Sequence, residues 1–187
     1  MASTPWRAST ASSTSLRVSR CALLAALALA LAALESLIPL PLPVPGMKLG
    51  IANIVTVAAA FWLGPVDAAV VLGVRILLAA FLTGQLATLP FSLVGGACAL
   101  AVTLAFVRFA STGQLRLAAM AAAVAHNIGQ IAVAVVVTGT PAIAFYLPVL
   151  LVAGVAAGFL TGTVTEAVLE RLPRPKSVVA RKRRAGA

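Results

Sequence analysis

Acidic residues are nearly absent from this chain of 187 residues, with 4 Asp and Glu against 14 Lys and Arg. Glu35, Asp67, Glu166 and Glu170 stand far apart and form no metal-ligand pair. No DDxxD-like carboxylate cluster exists to hold a metal-bound diphosphate. Walker A, HExxH and GxSxG sequences are missing too, which argues against unaided NTP hydrolysis, zinc proteolysis and serine hydrolysis. Cys21 and Cys98 each fall in an apolar run without a partner motif, so neither a disulfide nor a metal site is indicated. Nothing calls for a cofactor, and the chain is not expected to be an enzyme by itself. Charge of any sign is scarce, at 10% of residues, where a soluble domain carries about a quarter.

What fills the chain instead is apolar. It is 61% hydrophobic, its mean hydropathy is +1.09, and runs of membrane-spanning length recur from residue 21 to residue 169. The fold class expected is all-α, a six-helix transmembrane bundle. The helices are placed at about 20–38, 48–63, 66–83, 90–110, 115–138 and 142–170. The second is short for a span and is expected to be tilted, sunken or shielded by its neighbours. Residues 1–19 are read as a disordered basic tail, 20–170 as one membrane domain, and 171–187 as a basic tail. The start of the chain also resembles a cleavable signal peptide. The apolar run continues through Leu37 and Ile38, which favours an uncleaved first span.

The formal net charge of +10 is unevenly spread. Arg7, Arg17 and Arg20 precede the first span, Arg108 and Arg116 flank the 4–5 connection, and Arg171, Arg174 and the RKRR run follow the last span. The 3–4 and 5–6 connections have no basic residue, and the 1–2 connection has only Lys48. By the positive-inside rule both termini are expected in the cytoplasm of a cell whose plasma membrane the chain crosses. Beside a membrane helix the RKRR tail reads as a contact for anionic lipid, not for nucleic acid.

An ionisable group within a span costs at least ~2.5–3.5 kcal/mol on insertion scales and faces a cavity or a partner. Arg75 falls near the middle of helix 3; His126, Asn127 and Gln130 fall near the middle of helix 5, and His126 and Gln130 share a face at i,i+4. Glu35, Lys48, Asn53, Gln85, Ser92 and Tyr146 fall toward the outer end. Each has a bland reading. Arg75 alone is as easily a partner for backbone carbonyls, Asn127 and Gln130 can glue helices at ~1 kcal/mol each, and Glu35 and Lys48 can form an interfacial ion pair of little value. Together they occupy the middle and outer half, leaving a dry inner half, as a pocket open to the outside would. Positive groups (Lys48, Arg75) outnumber the single acid Glu35, which suits a small molecule bearing carboxylate or phosphate.

Seven motifs occur in order: ESLIP at 35–39, PGMKLGIANI at 45–54, GVR at 73–75, GQ at 84–85, FSLVGG at 91–96, HNIGQ at 126–130 and YLP at 146–148. This series resembles the Gx transporter family, also called heptaprenyl diphosphate synthase component I. That family in turn is similar to the substrate-binding S components of energy-coupling-factor transporters. The resemblance implies a vitamin- or cofactor-like ligand captured from outside, a separate coupling transmembrane subunit and partner ATPases. It also implies docking of that subunit on an Ala-x3-Ala face of the first helix, matched here by Ala22, Ala26 and Ala30. The family's other name implies a different role, accessory to a polyprenyl diphosphate synthase.

Overall fold

The computed structural model describes residues 13–37, 48, 50–109 and 114–173. Six α-helices run α1 (Ser13–Ser36), α2 (Asn53–Trp62), α3 (Pro65–Thr83), α4 (Leu89–Phe109), α5 (Leu115–Thr138) and α6 (Leu147–Arg171). Short 3-10 turns, Leu86–Thr88 and Pro141–Tyr146, lead into α4 and α6. No strand occurs among the described residues.

Proline and glycine set the breaks. Pro65 occupies the first turn of α3, where its missing N–H costs nothing. Gly84, at φ 65°, ends the same helix in the left-handed conformation that a side chain disfavours. Residues 141–146 take 3-10 geometry, so α6 begins at Leu147, five residues after the expected start.

Five helical segments are long and apolar enough to cross a membrane, giving a multi-pass architecture: Thr14–Ser36, Pro65–Thr83, Leu86–Phe109, Leu115–Thr138 and Pro141–Arg171. The expectation of six spans is therefore corrected at α2. Its 10 residues reach only ~15 Å at 1.5 Å each, about half the hydrocarbon thickness. Of the three accommodations foreseen for this helix, shielding is the one observed. α2 touches each of the other five α-helices and buries Val55, Thr56, Val57, Ala59 and Ala60 among them. A second difference lies in α1, which starts at Ser13. Residues 13–19, read from sequence as part of a disordered tail, form its first two turns, and the tail proper (1–12) lies outside the described residues, as does the basic tail from Arg174 onward.

Contacts at the helix ends establish the up-down order. Arg17 near the start of α1 pairs with Asp67 near the start of α3 at 2.6 Å. Arg116 at the start of α5 pairs with Glu166 near the end of α6. Trp62 at the end of α2 donates to the Pro173 carbonyl at 3.1 Å, and Arg20 lies 5.6 Å from the Trp62 ring centroid. One end of the bundle thus gathers Arg17, Arg20, Arg108, Arg116 and Arg171; the opposite end carries Glu35, Lys48, Gln85 and Tyr146.

Small residues build the interior. Ala28, Val55, Ala59, Ala60, Ala68 and Val71 join α1, α2 and α3, while Phe91, Ile131, Ala134 and Leu150 join α4, α5 and α6. Gly154, Gly158 and Gly162 are buried at four-residue spacing on α6. They bring it against α5, where a Cβ at Gly158 would stand 2.6 Å from Met120 Cα. Where lipid replaces water, helix association depends on such close packing.

Candidate ligand-binding site

α2, α3 and α5 carry the polar residues that the sequence singled out in the middle of the bundle. Arg75 (7% exposed), Asn53 (7%), His126 (3%), Gln130 (1%) and Asn127 (0%) are all buried. Arg75 Nη2 donates to Asn53 Oδ1 at 3.2 Å, joining α3 to α2. Asn127 Nδ2 donates to the Leu150 carbonyl at 2.6 Å, joining α5 to α6. Gln130 Oε1 accepts from the Lys48 backbone N–H at 3.2 Å. Glu35, 4% exposed at the end of α1, accepts the Gly50 N–H at 2.7 Å.

The network fixes one tautomer. With its Oε1 committed to Lys48, Gln130 presents its Nε2 to His126 Nε2 at 2.9 Å. An amide nitrogen only donates, so His126 Nε2 accepts and the ring is neutral with its proton on Nδ1. That Nδ1–H has no hydrogen-bond partner among the described residues, and neither do Asn53 Nδ2, Thr56 Oγ1 and Asn127 Oδ1. The unpaired set contains two donors, one acceptor and one hydroxyl that serves as either. Leaving such a group buried and unpaired costs about 1–3 kcal/mol.

The charges are equally unbalanced. The ion pairs among the described residues are Arg17–Asp67 and Arg116–Glu166, both at the basic end. All four acidic residues of the chain are described, so neither Arg75 nor Lys48 has a carboxylate within ion-pair distance. The Glu35–Lys48 pair considered from sequence does not form; Glu35 takes the Gly50 amide instead.

Gly50, Thr56 and Gly95 belong to this cluster and were not singled out from sequence. Gly50 has φ 82°, and a Cβ there would lie 2.8 Å from Asn53 Nδ2 and 3.0 Å from His126 Cδ2. A Cβ on Gly95 would lie 2.9 Å from His126 Nδ1. Both glycines sit inside motifs quoted above, and Thr56 lies one helical turn after Asn53; those spacings were the available signal. Other expected members lie elsewhere. Gln85 is exposed in the connection before α4, Ser92 is half-buried on α4, and Tyr146 is 49% exposed. Ala22, Ala26 and Ala30 are exposed on α1. Residues 38–47, expected to lie over the pocket, are outside the described residues.

Beside Asn53, toward the basic end, is a cavity of about 10 Å³ bordered by Val57, Ala122, Gly158 and Thr161, about the space one water requires. A larger one of about 400 Å³ lies near the basic end between α1 and α3, so the inner half is not the featureless region expected from sequence. Among the described residues no cluster of His, Cys, Asp and Glu is arranged to hold a metal ion.

Residues 24–168 match the family model described as heptaprenyl diphosphate synthase component I, and the chain belongs to that family. No curated protein and no solved structure matches it.

Proposed function

We propose that this member of the heptaprenyl diphosphate synthase component I family is a membrane subunit that captures an anionic, cofactor-like small molecule, in the manner of the S components it resembles. The observation that carries the reading is the buried Arg75 guanidinium, which has a neutral amide as partner and no carboxylate in reach, amid four unpaired buried polar atoms. A carboxylate or phosphate on the ligand would neutralise Arg75, with Lys48 adding charge nearer the outer end. Asn53 Nδ2 and the His126 Nδ1–H would donate to it, and Asn127 Oδ1 would accept. Glu35, Gln85, Ser92, Gln130 and Tyr146 complete the proposed set, the first holding the Gly50 turn and Gln130 holding the His126 tautomer.

In this reading ligand enters from the Glu35–Lys48 end, taken as the outer face of the plasma membrane, and both chain termini are cytoplasmic. Energy comes from partners, a coupling transmembrane subunit and its ATPases. The exposed Ala22, Ala26 and Ala30 face of α1 is where small residues would admit a partner helix. The test is mass spectrometry of small molecules retained by gently purified protein. An anionic compound in stoichiometric amount is expected; a folded preparation with no retained compound, and no anion from a metabolite panel that binds, would overturn the reading.

A second reading follows the family description: an accessory subunit of a polyprenyl diphosphate synthase. It requires that co-expression with a catalytic synthase subunit raise chain elongation. A verified complex with unchanged elongation would eliminate it.

A further inference from the structure

The cavity of about 400 Å³ near the basic end shares no residue with the Arg75–His126 cluster. Ala22 and Ala25 of α1 and Val70, Val71 and Val74 of α3 form its apolar walls, and Thr14, Arg17 and Asp67 form a polar rim. Its volume is that of a ligand pocket, roughly 300–1,000 Å³, and walls of this kind do not hold ordered water, which needs two to four polar partners. Val70 and Val74 are also surface-exposed, so the groove opens sideways, along helix faces that in a multi-pass protein meet hydrocarbon.

The rim supplies the second half of the recognition. Arg17 uses its Nε to reach Asp67 Oδ1 at 2.6 Å, while its side chain stays 55% exposed against 12% for Asp67. The carboxylate therefore holds the guanidinium in place and leaves its terminal nitrogens outside that bond. Arg20 lies one turn further along α1. Two cations against one carboxylate leave the rim with a single positive charge in excess.

We propose that the α1/α3 groove is a binding site for one anionic phospholipid of the surrounding bilayer, its acyl chain between the Ala and Val walls and its phosphodiester at Arg17 and Arg20. One net positive charge matches a monoanionic phosphodiester better than a diphosphate, and the sideways opening admits a chain already in the bilayer.

Native mass spectrometry of the full chain, released from nanodiscs of equal phosphatidylglycerol and phosphatidylcholine, tests the site. Wild type should retain one phosphatidylglycerol with about fivefold preference, the value of about 1 kcal/mol per basic residue near an anionic surface. The double variant Arg17→Gln/Asp67→Asn keeps the net charge and strands no buried ion; it should lose that preference. Ala22→Leu, which narrows the groove from an exposed position, should lower retention of both lipids. Equal retention of the two lipids by wild type would overturn the proposal, as would retention unchanged in both variants. Displacement of phosphatidylglycerol by equimolar farnesyl diphosphate would reassign the groove to a prenyl diphosphate.

Discussion

Replacing Asn127 by Ala separates a ligand site from structural glue, because the two readings give different signs for stability. The side chain is fully buried, donates at 2.6 Å to the Leu150 carbonyl, and leaves its own Oδ1 unpaired. Losing the hydrogen bond costs about 1 kcal/mol. The vacated space, taken as ~30 Å³, costs about 0.7 kcal/mol at ~24 cal/mol per Å³. Against this, removing the unpaired oxygen returns about 1–3 kcal/mol. The sum lies within about 1 kcal/mol of zero. If Oδ1 is kept for a ligand, retained ligand should fall at least about tenfold, equivalent to ~1.4 kcal/mol, while the unfolding midpoint in detergent barely moves. Destabilisation by 3 kcal/mol or more, with ligand content of the folded fraction unchanged, would refute the reasoning and make Asn127 an interhelical tie.

Other substitutions probe single contacts. Gly95→Ala sets a Cβ 2.9 Å from His126 Nδ1 and 3.1 Å from Gln130 Cγ; overpacking of about 1–3 kcal/mol should appear in thermal unfolding, together with reduced ligand retention. Gly158→Ala meets the Met120 backbone at 2.6 Å, so α5 and α6 must separate, and the expected loss is at the upper end of that range, read as a lowered melting temperature with no change of charge. Arg116→Gln removes a pair whose side chains are 50% and 23% exposed; by the measured worth of solvent-screened pairs it should cost under about 1 kcal/mol, and a larger loss would show that the pair is shielded from solvent.

Much of this architecture is legible in hydropathy and in Pro/Gly punctuation. The starts and ends of α3, α4 and α5 fall within a residue of the expected positions, because Gly64-Pro65, Thr83-Gly84 and the 110–114 break interrupt otherwise uniform apolar runs. The start of α1 was missed because TSLRVSR lacks apolar periodicity; its helical turns carry Arg17, whose bond to Asp67 lies fifty residues away in sequence. The modest depth of α2 was visible from its length, but its central place was not, since Ala and Val read alike whether they face lipid or protein. Within the site, burial of Arg75, His126, Asn127 and Gln130 was foreseeable from the cost of exposing them to lipid. The unpaired atoms were not, because they depend on which end of each amide the neighbours take. Gln85 and Tyr146 illustrate the converse: motif membership and helix end were known, yet neither indicates which way a side chain in a connection turns.

The most direct test of the central claim replaces Arg75 with Met, which keeps the length and removes the charge. Protein and variant are purified in parallel, shown to fold by their unfolding transitions, and compared for retained small molecules by mass spectrometry. A ligand held through its anion predicts a stoichiometric anionic compound on the wild type and loss of at least about 90% of it on the variant, since a charge-assisted contact of about 1.5–3 kcal/mol disappears. The same compound in the same amount on folded Arg75→Met protein would contradict the account.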